Sequence, residues 1–256
     1  MQLSVVIPVY NERATLGAAL LRVAGALDAV RKEIIVVDDC STDGTREWLK
    51  RNLPDASANG ASIRLDDSGD LVLAPAAEAP ALTIRAIYHE RNRGKGAALR
   101  TGFAAVTGDV VVIQDADLEY DPSDWGAMYD LIAVRKIADV VYGSRFYGRP
   151  HRSLSFHHYM GNRLLSVLFS ILYNQTLQDV QTCYKMMTRQ VVNSLQLTHD
   201  GFGIEIEIGA RIARQRKYRI YEVGILYYGR TSDEGKKITW KDGVKALWHL
   251  VKFRFG

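Results

Sequence analysis

The hydrophobic and polar positions of this chain alternate between short apolar runs and segments with helical periodicity. Residues 3–9 and 33–39 are apolar runs rich in β-branched side chains, and residues 13–30 repeat Leu, Val and Ala at helical spacing. This pattern predicts two strands joined by one helix. A helical crossover of this length implies that the two strands lie parallel in one sheet.

The same alternation continues through the first 146 residues. A helix is predicted within 41–53, with Ser41 or Thr42 as its cap. The later segments are predicted as a strand at 82–90, a helix at 92–106, a strand at 109–117, a helix at 122–136 and a strand at 138–146. Alternating strands and helices indicate an α/β fold, with an open, mostly parallel sheet that has helices on both faces. Ligands of such sheets bind beyond the carboxyl ends of the strands.

Two regions depart from this alternation. Residues 54–82 are rich in Ala, Ser, Gly and Asp, and contain a predicted hairpin that turns at Asp67-Ser68-Gly69. We interpret 54–82 as a surface insertion. From residue 151 onward the character of the chain changes, and two apolar helical segments follow.

The two apolar segments are candidates for contact with a lipid surface. The unbroken apolar part of 157–175 is far shorter than the ~20 residues that cross a bilayer. In residues 236–256 the residues at helical spacing are Trp240, Val244, Leu247, Trp248 and Val251, and those on or near the other face are Lys241, Lys245, Lys252 and Arg254. A basic amphipathic segment with tryptophans suits an anionic membrane surface. A helix packed on the domain, with solvated lysines, fits the pattern equally well.

Composition narrows the class of protein. Hydrophobic residues make up 47% of the 256 residues and charged residues 24%, which is ordinary for a soluble globular protein. The net charge of +4 permits an anionic partner. No basic stripe with interleaved aromatics occurs, so nucleic acid is not an expected partner. Two cysteines, Cys40 and Cys183, favour a reducing compartment, and the chain starts on a strand pattern without a basic leader.

A cluster of carboxylates follows the predicted strand at 110–113. Asp115, Asp117 and Glu119 come within a few residues of its end. Hard oxygen ligands in this position suit a divalent cation that also binds phosphate and water. The ion would offset the carboxylate repulsion and screen a diphosphate leaving group.

Several motifs in this order resemble the family 2 glycosyltransferases of the GT-A fold. They are VVIPVYNE at 5–12, IIVVDDCSTDGT at 34–45, NRGKGAAL at 92–99, VVIQDADLEYDP at 110–121 and VVYGSR at 140–145. Four later segments are similar to the polyprenyl-phosphate (dolichyl-phosphate) hexosyltransferase branch, namely 179–187, 202–208, 218–231 and 234–243. The resemblance implies a Rossmann-like sheet in one GT-A domain, 1–256. Residues 1–146 would be the nucleotide-sugar-binding half, and 147–256 the acceptor-binding half with its amphipathic helices.

The resemblance also implies the donor site. Pro8, Tyr10 and Glu12 would shape the base and ribose pocket, and Asp39 would hydrogen-bond the base, with help from Asp38. Lys95, which lies between two glycines, would touch the donor.

The catalytic and metal roles follow from the same resemblance. Asp115 would contact the ribose or the metal, Asp117 would ligate Mg²⁺ or Mn²⁺, and Glu119 would complete the site, where many relatives carry Gln. Arg145 offers a bidentate fork for phosphate oxygens. Arg230 and Lys237 would neutralise charge on the leaving diphosphate.

The class of acceptor is predicted from the absence of a clear general base in the sequence. An alcohol acceptor needs a general base, whereas Glu205 and Glu207 alternate with isoleucines and look like packing carboxylates. A phosphate acceptor is already ionised and needs no base. The expected reaction is inverting, metal-dependent transfer of a hexose from GDP-mannose or UDP-glucose to a polyprenyl phosphate. The expected acceptor-binding residues are Arg152, Arg163, Gln181 and Lys185.

Two other functions remain open at this level. One is a soluble transferase that acts on a hydroxyl group, with Glu205 or Glu207 as base. The other is a nucleotide-sugar-binding or membrane-scaffolding protein without turnover. The expected location is cytoplasmic, including peripheral attachment to the cytoplasmic face of a membrane.

Overall fold

The structure is a computed structural model that describes residues 1–53, 57–60, 62–74, 82–147, 156–229 and 240–255. Its strands are β1 Leu3–Val9, β2 Lys32–Asp38, β3 Ser57–Gly60, β4 Ser62–Leu65, β5 Leu71–Ala74, β6 Leu82–Tyr88, β7 Val110–Ile113, β8 Val140–Ser144, β9 Lys185–Thr188 and β10 Ile220–Gly224. Its helices are α1 Leu16–Gly25, α2 Thr45–Asn52, α3 Lys95–Ala105, α4 Trp125–Tyr129, α5 Phe156–Tyr173, α6 Arg189–Ser194, α7 Ile204–Gln215 and α8 Trp240–Phe255.

Among the described residues, eight strands form one sheet in the order β10-β8-β9-β7-β1-β2-β6-β3. The pairs β1–β2, β1–β7, β2–β6 and β8–β10 are parallel. β9 is antiparallel to both of its neighbours, and β3 is antiparallel to β6. The α/β fold with a mostly parallel open sheet, predicted from the alternating pattern, is confirmed.

The central strands are buried along their whole length. β1, β2, β7 and β8 contain almost no exposed residue, which explains why they read as continuous apolar runs. Helix α3 packs closely on this sheet through Gly102, where an added Cβ would lie 2.3 Å from a methyl group of Val6. One core of buried side chains runs from β1 to α7 and α8.

In the segment 54–82, which was predicted to be a surface insertion, the described residues form two parts. β4 and β5 pair antiparallel on either side of the turn at Asp67-Ser68-Gly69, so the predicted hairpin is confirmed. The indole Nε1 of Trp48 donates to the Gly69 carbonyl at 3.0 Å, which ties the hairpin to α2. β3 adds an antiparallel edge strand to the main sheet, which the sequence pattern did not predict.

Helix α2 begins later than predicted. Gly44, with φ +93°, precedes its first residue, Thr45. Ser41 and Thr42 do not cap the helix, because the Ser41 hydroxyl accepts from the Asn11 amide and the Thr42 amide donates to the Asn11 side chain. This left-handed glycine therefore replaces the predicted polar cap.

The long helices α5, α7 and α8 lie beside the sheet in the second half of the chain. α8 packs on α5 and α7 through Ala246, Leu250 and Phe253, and the Tyr173 hydroxyl of α5 donates to the Leu250 carbonyl at 3.0 Å. Among the described residues, no helix has the length and apolar character that crossing a membrane would require.

Candidate active site

The chemically interesting side chains gather where the parallel strands end. β1 leads into Tyr10 and Glu12, β2 into Asp39, β7 into Asp115 and β8 into Arg145. Carboxyl ends of parallel strands share one edge of a sheet. The structure therefore brings the predicted donor residues to the same edge.

The three carboxylates after β7 face different partners. Asp115 forms an ion pair with Lys95 at 2.8 Å. Asp117 accepts a hydrogen bond from the Glu119 amide at 3.1 Å, across the left-handed Leu118 with φ +63°. Glu119 accepts a hydrogen bond from the Tyr227 hydroxyl at 2.7 Å.

Only part of this set of three carboxylates is placed to bind a divalent ion. Within the described ranges, no group of three or more His, Cys, Asp or Glu side chains is arranged to hold a metal ion. Asp115 and Asp117 supply hard oxygen donors at a strand end, which suits Mg²⁺ or Mn²⁺ with further ligands from phosphate and water. Glu119 is already bonded to Tyr227, so the predicted set of three does not converge in this structure.

Lys95 lies at the centre of a buried charge network. Its ammonium contacts Asp115 and also Glu205, at 3.0 Å, on α7. The other oxygen of Glu205 pairs with the ammonium of Lys185 on β9, which also donates to the Thr182 carbonyl. Burial acts to lower the pKa of Lys95, but the charges of Asp115 and Glu205 outweigh it and raise this pKa.

This charge network lowers the pKa of Glu205. Burial acts to raise the pKa of its carboxyl, but the ammonium groups of Lys185 and Lys95 hold that pKa below its usual range. Glu207 is buried nearby and accepts from the amides of Thr198 and His199. Burial again acts to raise its pKa, and these hydrogen bonds lower it below its usual range.

Asp39 anchors the loop that leads into α3. Its buried carboxylate accepts from the amides of Arg93 and Gly94, the latter at 2.6 Å, and from the His89 ring at 2.7 Å. Asp38, also buried, pairs with the Arg46 guanidinium at 2.5 Å. The structure thus gives both aspartates of the predicted base pocket internal partners on neighbouring elements.

The predicted pocket residues on β1 lie at the surface edge of this region. Tyr10 is 42% exposed, and Pro8 is half-buried in the β1–β2 register opposite Val37. The Glu12 carboxylate accepts from the Thr15 hydroxyl at 2.8 Å. An exposed aromatic ring at a strand end is available to stack on a base.

The guanidinium of Arg145 forms a bidentate ion pair with Asp179, a residue that the sequence analysis did not predict to be in the site. Its Nε and one terminal nitrogen donate to the two oxygens of Asp179, both at 2.7 Å, and its guanidinium lies over the Tyr227 ring at 5.2 Å. Asp179 is fully buried. Tyr227 therefore connects Glu119 of the carboxylate segment to the Arg145–Asp179 pair.

The predicted acceptor residues occupy different environments. Arg163 is half-buried and donates to the Gln178 side chain at 2.9 Å. Gln181 is half-buried two residues after Asp179. Lys185 is wholly buried and ion-paired with Glu205, so in this structure it supports the network and does not face a surface where an acceptor could reach it.

Three predicted residues lie outside the described part of the chain: Arg152, Arg230 and Lys237. Asn11, Asp179 and Tyr227 are functional candidates that sequence reasoning missed. Asn11 has φ +57°, which is uncommon outside glycine. The only sequence signal for Asp179 was its place at the start of the 179–187 motif.

The open sheet, with acidic strand ends at one edge, defines the GT-A fold, and solved structures share it. Glucosyl-3-phosphoglycerate synthase from Mycobacterium tuberculosis, solved in complex with Mn²⁺, uridine diphosphate and phosphoglyceric acid, superposes with a TM-score of 0.68 at 21% identity over 99% of this chain and 78% of that one. Residues 4–60 and 63–196 match the family described as glycosyl transferase family 2. The chain belongs to this family.

Two relatives carry names that specify an activity. The chain is 26% identical over 260 residues to the dolichol-phosphate mannosyltransferase of Pyrococcus furiosus, covering 99% of this chain and 64% of that protein. It is 31% identical over 202 residues to the undecaprenyl-phosphate 4-deoxy-4-formamido-L-arabinose transferase of Sodalis glossinidius, covering 78% of this chain and 52% of that protein. The chain thus spans between half and two thirds of the length of these relatives.

Proposed function

We propose that this protein is a glycosyltransferase that moves a hexose from a nucleotide sugar to a polyprenyl phosphate. The observation that carries the proposal is the state of the two carboxylates that could act as a base. Glu205 is held by two ammonium groups, and Glu207 by two backbone amides and the Thr198 hydroxyl. A carboxylate whose pKa is lowered by neighbouring ammonium groups or hydrogen-bond donors is a poor acceptor for the proton of an alcohol.

A phosphate acceptor removes the need for that proton transfer. Its oxygen is already anionic at neutral pH and can attack the sugar C1 in line, with inversion, while the nucleoside diphosphate leaves. The names of the two relatives support this acceptor class. GDP-mannose and UDP-glucose are the proposed donors, and the uridine diphosphate bound in the M. tuberculosis structure supports a nucleoside diphosphate site on this fold.

The chain's own residues have distinct roles in this reaction. Tyr10 stacks on the base, and Asp39 fixes the loop that leads to Lys95. Asp115 and Asp117 would hold Mg²⁺ or Mn²⁺, and the ion would supply positive charge for the leaving diphosphate. Lys95 adds a second positive charge next to Asp115. Arg230 and Lys237 are proposed to face the phosphates. Arg145, predicted to bind phosphate through its fork, has that fork occupied by Asp179 and so positions the neighbouring Tyr227.

The exposed apolar side chains of α5 and α8 support a peripheral position on a membrane. Leu247, Trp248 and Val251 are 36%, 59% and 52% exposed, so this part of the predicted apolar face points away from the core. The side chains of Trp240 and Val244 lie outside the described part of the structure. On α5 the exposed apolar row is Phe156, Met160, Leu164, Val167 and Ile171. Exposed apolar rows with Lys245 and Lys252 nearby suit an anionic bilayer surface. We propose attachment to the cytoplasmic face.

A transfer assay tests the proposal. Purified protein is incubated with Mg²⁺ or Mn²⁺, a panel of nucleotide sugars, and a short-chain polyprenyl phosphate that is present or omitted. We expect a glycosyl phosphate product only with lipid phosphate and metal, and its loss in Asp117→Ala, with Mn²⁺ affinity measured separately by electron paramagnetic resonance. Product formation on a sugar hydroxyl without lipid would assign an alcohol acceptor, and no turnover with any donor would assign a binding protein.

A further inference from the structure

Two histidines face each other between helix α8 and the loop that precedes α7. His249 lies on α8 and is buried, and His199 is half-buried in the loop. Their ring centroids are 4.3 Å apart, with an angle of 64° between the ring planes. Neither ring has a part in the proposed transfer reaction.

Nitrogen atoms of the two rings converge on the same side of Gly203. A Cβ on Gly203 would lie 2.4 Å from Nδ1 of His249 and 2.7 Å from Nε2 of His199. These nitrogens are therefore no more than about 5 Å apart, and two imidazoles that share one zinc ion need a separation of about 3.3 Å. Because Gly203 has no side chain, the space between the two nitrogens is left open for an ion.

Both imidazoles are neutral, and so able to bind a metal, near neutral pH. Burial lowers the pKa of each ring, and the neighbouring His199 lowers the pKa of His249 further. Among the described residues, no group forms a hydrogen bond with either ring, so each ring can turn its unprotonated nitrogen toward an ion. Neutral imidazole is a preferred ligand of Zn²⁺, Ni²⁺ and Cu²⁺.

The charges around the pair are of both signs. Glu207 acts to raise the pKa of both rings, and Lys252 acts to lower it. Three further groups face one ring each, namely Asp200 and Arg100 at His199 and Lys245 at His249. Asp200 and Arg100 form an ion pair with each other. The ammonium of Lys252 is therefore the main charge that opposes a cation at this place.

We propose that His199 and His249 together bind one divalent transition-metal ion, of the class of Zn²⁺ or Ni²⁺, with water in its remaining positions. The ion joins α8 to the loop at 199–203. That loop already contacts the start of α3, because the Asp200 carbonyl accepts the Gly96 amide at 2.6 Å. The site differs in chemistry from the carboxylates after β7, whose oxygen ligands suit Mg²⁺ or Mn²⁺.

A metal titration without donor or acceptor tests this site independently of the proposed function. Ni²⁺ is titrated into the protein at pH 8 in excess Mg²⁺, which competes for carboxylate ligands, and binding is followed by calorimetry. We expect affinity to fall by about tenfold or more in His199→Gln and in His249→Gln, because each variant loses one of two ligands. Leu247→Gln is the matched control, since Leu247 lies on the same helix with 36% exposure, and it should bind Ni²⁺ like the wild type.

Three further readouts distinguish a ligand pair from histidines that only pack. Lys252→Gln should tighten Ni²⁺ binding about threefold, because a repelling charge is removed. Wild-type affinity should fall as the pH drops below about 6, where protons compete for the imidazoles. Ni²⁺ should raise the thermal unfolding midpoint of the wild type but not of His199→Gln. If His249→Gln does not fold, the half-buried His199→Gln supplies the comparison. Equal Ni²⁺ affinity of the wild type and His199→Gln would overturn the site.

Discussion

Residue by residue, the site is a set of charges that neutralise one another. Glu205 stands between two ammonium groups, Asp115 faces one of them, and Arg145 is neutralised by Asp179. The family resemblance identified Asp115, Lys95 and Arg145 as candidates, and each of them follows a strand or opens a helix. It could not identify their partners, because Asp179 and Glu205 reach them only through the tertiary fold.

The buried Glu205–Lys185 pair predicts a stability cost for removing one charge. Glu205→Gln should lower the free energy of unfolding by about 3 kcal/mol, because the fully buried Lys185 loses its counter-charge. Urea unfolding followed by circular dichroism measures the change. Adding Lys185→Met to this variant should restore much of the loss, and the exposed Glu47→Gln should change little. Equal stability of the wild type and Glu205→Gln would contradict the network.

Asp124 predicts a pH dependence of stability. Burial, aided by the charge of Asp121, raises its pKa from 3.8 to about 6, although the Leu226 amide donates to it at 2.7 Å. The folded protein therefore keeps a proton that the unfolded chain loses, so this carboxyl lowers stability progressively as pH rises from about 4 to 6.

Asp124→Asn removes that cost and keeps an acceptor for the Leu226 amide. We expect its free energy of unfolding to exceed the wild-type value by about 1 kcal/mol at pH 8, after allowance for solvent screening, and to match it near pH 4. Urea unfolding at both pH values gives the comparison. Asp67→Asn, at an exposed position, should show no such difference. A constant offset at both pH values would refute the assignment.

At the scale of elements, the start of α3 is held by hydrogen bonds to two other segments of the chain. Asp39 accepts the Arg93 and Gly94 amides, and the Asp200 carbonyl accepts the Gly96 amide at 2.6 Å. A Cβ on Gly96 would lie 2.2 Å from the His199 carbonyl oxygen. The glycines of the motif were visible in the sequence, but the loop at 199–200 that requires Gly96 to lack a side chain was not.

Gly96→Ala should therefore displace that loop. We expect a loss of about 1–3 kcal/mol in the free energy of unfolding, because the added methyl group meets backbone that cannot move aside alone. Gly126→Ala is the matched control, since nothing lies within 4 Å of its Cβ position in α4, and it should stabilise by about 0.5–1 kcal/mol. Thermal unfolding measures the stability of both variants. Similar changes in stability would argue against the close approach of Gly96 to the His199 carbonyl oxygen.

Substitutions on helix α8 test the prediction that the protein binds an anionic membrane surface. The double change Trp248→Glu and Val251→Glu should weaken binding to phosphatidylglycerol vesicles at least tenfold, because each position loses apolar surface that the bilayer would bury. Cosedimentation measures this partitioning. Val134→Glu, at an exposed site outside α5 and α8, should bind like the wild type. Unchanged partitioning of the double variant would leave α8 as a helix that only packs on the domain.

For the whole molecule, the alternating pattern predicted the parallel core but not the full sheet. The runs at 3–9, 33–39 and 110–113 became three adjacent strands. β9 was not predicted, because four residues inserted antiparallel between β7 and β8 leave no periodic signal. The order of the sheet depends on such pairings between residues that are distant in sequence. One of them, β8 with β9, places Lys185 at the start of β9 beside the strand that ends directly before Arg145.

Two acceptors that differ only in the phosphate separate a phosphate acceptor from an alcohol acceptor in a single assay. Wild-type protein, with the donor and metal that support turnover, is given a short-chain prenyl phosphate or the corresponding prenyl alcohol, and product is quantified from pH 5 to pH 9. We predict transfer to the phosphate alone. We also predict no acidic limb in kcat/KM from Glu205 or Glu207, since neither acts as a base. Efficient transfer to the alcohol, with an acidic limb that disappears in Glu205→Gln, would contradict the proposed function.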